Sequence, residues 1–346
     1  MRTARRAAEA TNAKQHGSSK QATSNNSTNT NTNNTQQATA TMAPLFTAAG
    51  YNFNKKVSEG SNGHVFFVSD ATTGAEYVAK VLPKKSKNVT ADNVPWEIEI
   101  MSILEHNNVI ALHEWIECAD NYIVIMEKGT CDLMDLVSNQ ALDDDLTKRI
   151  FFGIVQGLKS CHDNDVAHLD LKPENIFLDD NFQPKLGDFG SSYFWDRPHN
   201  PSGQITGVVG TRFYYAPEVY TPAYDPFKAD IFSLGVLFYV MVTSTWPYPG
   251  DNYDAVKRNA SKFRVCIDRN QVHKFSPEAF HLVSWMLTKD PAQRPTLEQV
   301  HNHSYFRQLR AAAAAATTKP VLATATTAAT VEALSKPSVS VVLQDA

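Results

Sequence analysis

Between Phe53 and Val81 apolar and polar positions alternate, and turn residues interrupt the alternation twice, at Gly60-Ser61-Asn62-Gly63 and at Thr72-Thr73-Gly74. A period of two punctuated by glycine turns predicts three successive β-strands. The period then changes. In Trp96-Glu97-Ile98-Glu99-Ile100-Met101-Ser102-Ile103-Leu104, apolar positions 96, 100, 103 and 104 follow helical spacing, which puts Glu97 on the packed side with Met101 and Leu104 and turns Glu99 away. Asn121-Tyr122-Ile123-Val124-Ile125-Met126-Glu127 reads as another strand and runs into the polar turn Lys128-Gly129-Thr130. From about residue 143 the pattern is helical. Residues 145–161 carry apolar side chains at 150, 151, 154, 155 and 158, and 230–242 is apolar nearly all round, as a central core helix would be.

A strand-rich half followed by a helical half predicts an α+β fold of two lobes. The small β-rich N-lobe with one main helix covers about residues 50–127, and the larger, mainly helical C-lobe about 132–307. The flanks are different material. Residues 1–46 are rich in Asn, Thr, Ser, Gln and Ala, and an arm with so little to bury is expected to be disordered. Residues 311–346 are an Ala/Thr-rich stretch; Ala311–Ala316 suits a helix, but Thr317, Thr318 and Pro320 oppose its continuation, so a disordered tail is expected.

Charge narrows the partners. Residues 51–307 hold 24 basic and 33 acidic side chains, whereas the first 50 hold five basic and one acidic. An acidic core argues against nucleic acid and suits basic peptides. Cysteines 118, 131, 161 and 266 show no metal-like spacing, and there is no run of 18 apolar residues, so a reduced, cytoplasmic protein without a membrane anchor is expected.

The chemistry concentrates in His168-Leu169-Asp170-Leu171-Lys172-Pro173-Glu174-Asn175 and the following Asp188-Phe189-Gly190. Phosphoryl transfer spreads charge over three oxygens, so it needs divalent cations on hard oxygen ligands and fixed ammonium groups. Asn175 and Asp188 can supply the first, Lys172 and Lys80 the second. Lys80 lies in an apolar strand where an unpartnered ammonium would be stranded, and Glu97 is the partner on offer. Gly60 and Gly63 allow a turn to approach a phosphate chain closely.

These residues, in this order over about 50–307, resemble the eukaryotic protein kinase family. The resemblance implies ATP with Mg2+ (or Mn2+), a Lys80–Glu97 ion pair, Asp170 orienting the substrate hydroxyl, Lys172 neutralising the transferred group, and Asn175 and Asp188 as metal ligands. It further implies a nucleotide site lined by Ser58, Gly60, Gly63, Val65, Ala79, Lys80, the gatekeeper Met126, the hinge residue Glu127, Asp132, Asn175, Phe177 and Asp188. Gly210-Thr211-Arg212-Phe213-Tyr214-Tyr215-Ala216-Pro217-Glu218 resembles the end of an activation segment, with Glu218 expected to pair with Arg294. Lys172 and Thr211 are arranged as in Ser/Thr-directed members, and Glu174 resembles a residue that reads arginine in basic substrates.

Three departures stand out. Ser58 replaces the first glycine of the phosphate loop, and the segment after Glu127 is short. Leu169 replaces the arginine that in family members reads a phosphate on the activation segment, so control through Thr206 is less expected, and constitutive folding, a regulatory partner or the flanking arms are the alternatives. The short C-lobe resembles the calcium/calmodulin-dependent or starvation-sensor branch, but residues 311–346 lack a basic amphipathic face, so calmodulin is not an expected partner. The competing readings are a pseudokinase scaffold that acts by binding and a small-molecule kinase of related fold.

Overall fold

The computed structural model describes residues 42–60, 63–84, 94–195, 210–250, 252–262, 265, 267 and 270–317. The arm over residues 1–41, the stretch beyond 317 and Thr206 lie outside the described residues. The N-lobe sheet comprises β1 (Tyr51–Gly60), β2 (Gly63–Asp70), β3 (Glu76–Pro83), β4 (Leu112–Glu117) and β5 (Asn121–Met126), all antiparallel, in the order β1-β2-β3-β5-β4.

Register decides which side chains face the cleft. Val65 lies opposite Lys80, and Val78 opposite Met126, so Val65, Val78, Lys80 and Met126 share one face. Ala79 takes the other face, fully buried in a cluster with Phe46, Phe66 and Ile125. This corrects the expectation that Ala79 lines the nucleotide site; Val78 holds the place that the strand period gives to the cleft side.

The expected arm is also shorter than its boundary at 46. A helix, α1 (42–48), precedes β1, and Phe46 within it is fully buried, its ring 5.3 Å from that of Phe66. The apolar run from Met42 to Ala49, broken only by Thr47, is too short to show a period, yet with Met42, Leu45 and Ala49 packed around it Phe46 covers the outer face of the sheet.

The N-lobe helix α2 (Trp96–Ile103) buries Glu97, Ile98, Ile100 and Met101. Ile103 is 44% exposed although its spacing predicted burial. The helix stops there, and Leu104, already extended, reaches the core in its place.

In the C-lobe come β6 (Cys131–Asp132), α3 (Leu133–Ser138), α4 (Asp144–Asp163), β7 (Val166–Ala167), β8 (Ile176–Leu178), β9 (Pro184–Leu186) and β10 (Tyr193–Phe194). They are followed by α5 (Pro226–Thr243), α6 (Tyr253–Ser261), α7 (Pro277–Met286), α8 (Leu297–His301) and α9 (Arg307–Thr317). All five apolar positions expected on α4 are buried, and Asp143 caps its first turn by accepting the Leu146 N–H. Helix α5 starts with Asp225 accepting from Phe227 and Lys228, and Pro226 sits where a missing N–H costs nothing.

Phe238 of α5 stacks on Phe151 of α4 at 4.1 Å, the centre of the lobe's core. Helix α5 is long and apolar enough to cross a membrane, but it lies inside the lobe with neighbours on every side. Helix α9 continues through Ala311 to Thr317, so the helical reading of that alanine run holds and any tail starts later.

Candidate active site

The site forms where the N-lobe sheet faces the loops that follow β7 and β9. Lys80 reaches from β3 to Oε1 of Glu97 on α2 at 2.5 Å and to Oδ1 of Asp188 at 2.8 Å. Burial works against the lysine's charge, but Glu97 and then Asp188 overcome it and hold its pKa above the ordinary value. The ammonium beside Asp188 holds that carboxyl at about 2. Lys80 is therefore a fixed cation at neutral pH.

Asp188 has left-handed backbone angles, φ 59° and ψ 74°, which for a residue with a Cβ is a strained setting. The strain turns its carboxylate toward Lys80 while the next side chain, Phe189, goes inward against the His168 ring at 5.3 Å. Asn175 donates from Nδ2 to the backbone oxygen of Asp170 at 2.8 Å and to its Oδ2 at 3.1 Å. That orientation leaves the amide oxygen for a ligand. Two oxygen donors of this kind fit Mg2+, which takes one or two protein ligands and completes its shell with water and phosphate.

Asp170 is buried and receives three side chains: Thr211 at 2.7 Å on Oδ1, and Lys172 at 2.7 Å with Asn175 at 3.1 Å on Oδ2. A carboxylate accepts from about four directions, so one remains for a substrate hydroxyl. Lys172 also donates to Thr211 at 3.0 Å, closing a small ring of contacts.

The loop that carries Asp170 is held from below by Asp230 on α5, which accepts the N–H groups of His168 and Leu169, each at 2.8 Å. His162 adds a contact to Asp230 at 3.0 Å, and the His168 ring meets the Gly187 carbonyl at 3.0 Å. These supports escaped the sequence reading. Asp230 was visible as the lone acid at the head of an apolar helix, and a fully buried carboxylate must have donors.

Gly210 packs on the same loop, where a Cβ would stand 2.2 Å from the Leu169 oxygen. Glu218 and Arg294 pair through two contacts, at 2.5 and 2.7 Å, and Arg294 also donates to the Lys228, Thr288 and Lys289 carbonyls. The pair fixes the end of the 210–218 segment on the helical lobe.

Other expected nucleotide contacts are more varied. Gly63 has φ +136°, and a Cβ there would meet the Val81 carbonyl at 2.2 Å, so its glycine is required by strand packing as well as by any phosphate. Ser58 is exposed on β1 opposite Val65. The Glu127 carboxylate turns to Lys185 at 2.9 Å and its N–H donates to the Ala111 carbonyl, so its own carbonyl is the group that can serve as the hinge element. Asp132 caps α3 by accepting the Asp135 N–H at 3.0 Å, and burial raises its pKa. Phe177 on β8 lies opposite Asp132, so both border the same edge of the cleft.

A paired lysine and glutamate under a strand hairpin, an oriented carboxylate on a helix-braced loop, and two oxygen ligands define the phosphotransferase class. Residues 51–306 match the family described as "Protein kinase domain". The chain is similar to CBL-interacting serine/threonine-protein kinase 15 of Arabidopsis thaliana, 30% identical over 263 residues covering 75% of this chain and 61% of that protein. It is also similar to probable serine/threonine-protein kinase MARK-A of Dictyostelium discoideum (32% over 270 residues, 77% and 25% of the two chains) and calcium-dependent protein kinase 4 of Plasmodium falciparum (31% over 269, 75% and 50%). The chain spans at most about six tenths of the length of these relatives. It belongs to the protein kinase family and carries a domain of the Ser/Thr type.

Proposed function

We propose that the protein transfers the γ-phosphoryl group of Mg-ATP to Ser or Thr hydroxyls of protein substrates, as a kinase of the calcium/calmodulin-dependent or starvation-sensor kind. The observation that carries this is the joint placement of Asp170, Lys172 and Thr211 in one contact ring beside an intact Lys80–Glu97–Asp188 cluster. A scaffold that only binds needs neither arrangement.

Bound Mg2+ supplies neutralisation of phosphate charge, and Asp188 with Asn175 would hold it. Lys80, fixed by its two carboxylates, would orient the phosphate chain. Asp170 would take the hydroxyl hydrogen of the substrate in a hydrogen bond, aim the oxygen, and accept the proton as the new O–P bond forms and the bond between the γ-phosphorus and the bridging oxygen breaks, ADP being the leaving group. Lys172 would follow the developing charge on the transferred group.

Glu174 supports basic substrates. Its Oε2 is buried and has no hydrogen-bond partner, and burial raises its pKa, so an arginine from a peptide would satisfy an otherwise stranded acceptor. Leu169 supports control by something other than segment phosphorylation, a regulatory partner being the reading we favour.

The test is phosphoryl transfer from Mg-ATP to Ser/Thr peptides by the full chain, compared with Asp170→Ala and Asp188→Asn. Transfer lost in both variants, with folding retained, is expected. Unchanged transfer by Asp188→Asn would overturn the reading.

A further inference from the structure

A cavity of about 400 Å³ opens beside the segment that carries Thr211, lined by Arg212, Asp254, Lys257, Arg258 and Lys262. Four cations face one carboxylate there, in a kinase core that holds nine more acids than bases. Part of this has an ordinary cause. Arg258 and Lys262 lie at the C-terminal end of α6, where the helix dipole favours positive charge. They are also four residues apart, a like-charge spacing that opposes the helix. The dipole does not account for Arg212, which arrives from a different element and joins them.

Arg212 is also the best-positioned of the four. On one side of it Thr211 is bonded to Asp170 at 2.7 Å, and on the other Phe213 stacks on Trp246 at 4.8 Å and meets Tyr253 edge-on at 5.5 Å. Arg212 is thus anchored one residue from the side chain that orients Asp170. Tyr253 begins α6, so the same ring contact fixes the helix that brings the other three cations.

Resting on the kinase reading, we infer that this cavity binds a phosphoryl group carried by the peptide substrate itself, so that a substrate already phosphorylated near its target residue is preferred. Guanidinium groups pair with phosphate through two parallel hydrogen bonds, and two arginines with two lysines match a dianion on one short side chain. Arg212 directly follows Thr211, which touches Asp170 at 2.7 Å, and an extended peptide advances about 3.3 Å per residue, so the anion belongs within about four residues of the target hydroxyl. The cavity asks for an anion, whereas Glu174 asks for a cation; a substrate with separated charges satisfies both.

The test uses the full chain and a panel of peptides with one target serine. Phosphoserine, aspartate or alanine is placed in turn at each of four positions on either side of the target. One position is expected at which phosphoserine raises kcat/KM by about tenfold or more over alanine, with aspartate between them. In Arg258→Ala/Lys262→Ala that preference is expected to fall to less than threefold, while transfer to the alanine peptide stays at the unaltered rate. Transfer with no preference at any position, or a preference that survives in the double variant, overturns the inference and leaves the kinase reading standing. Failure of transfer to every peptide counts against the kinase reading instead. In that event fluorescence anisotropy with the labelled phosphoserine panel decides the cavity separately. Binding lost in the double variant supports it, and binding absent or unaffected overturns it.

Discussion

Asp230 accepts the backbone N–H of Leu169 at 2.8 Å from the first turns of an otherwise apolar helix, and so holds the loop bearing Asp170 by its main chain. Asp230→Ala would leave two buried N–H groups without an acceptor, at a cost of about 2–5 kcal/mol. We expect thermal unfolding to show that loss, with Asp230→Asn intermediate because one oxygen remains. If Asp230→Ala unfolds like the unaltered chain, the loop is held by other means.

Thr211 predicts a separable effect on turnover. Its hydroxyl fixes Oδ1 of Asp170 and leaves the nucleotide contacts alone. Thr211→Ala should lower kcat about 10- to 100-fold with little change in the KM for ATP, and Thr211→Ser should restore most of it. Steady-state kinetics with ATP and peptide varied independently would show the split.

The low pKa of Asp188 fixes the sign of one pH effect. Its folded value of about 2 lies below the ordinary 3.8, so the stabilisation is full above about pH 4 and fades as pH falls toward 2. With over a third of that side chain open to water, we expect Asp188→Asn to be less stable by only about 1 kcal/mol at pH 6. Urea titrations between pH 6 and 3 should show the two proteins converging as the solution is acidified.

Glu174 predicts the opposite kind of limb. Its raised pKa means that acidification neutralises it earlier than an ordinary glutamate, so the KM for an arginine-containing peptide should rise as pH falls. The same peptide with alanine in place of arginine should show a flatter profile, as should Glu174→Gln. A profile unaffected by either change would remove Glu174 from peptide recognition.

Phe46 predicts that the N-lobe needs residues beyond the recognisable strands. Phe46→Ala removes a fully buried ring packed on Phe53 and Phe66 and should cost about 3–5 kcal/mol. Denaturant unfolding measures it, with truncation at residue 50 expected to behave similarly.

Much of the site was legible because its chemistry needs particular side chains at fixed spacing. Lys80 and Glu97 could be paired from the sequence since a buried ammonium demands a carboxylate, and helix periodicity selected Glu97 over Glu99. The two lobes were legible from the change of period near residue 143. Ala79 was misplaced because the family resemblance was applied one residue out of step with the strand alternation, which puts Val78 on the cleft side. Phe46 was missed because the short apolar run around it, at the edge of a polar arm, spans too few residues to carry a period. Asp230 was passed over because its partners are backbone groups, and backbone donors leave no trace in residue identity.

The space that Gly210 leaves empty above the Leu169 carbonyl bears on how this chain can vary. Gly210 and Thr211 are seated together on the catalytic loop, the glycine against the Leu169 carbonyl and the threonine on Asp170. A single methyl group at position 210 would press on the Leu169 carbonyl and unseat Thr211 beside Asp170, so glycine here guards the catalytic carboxylate from a position that never touches it.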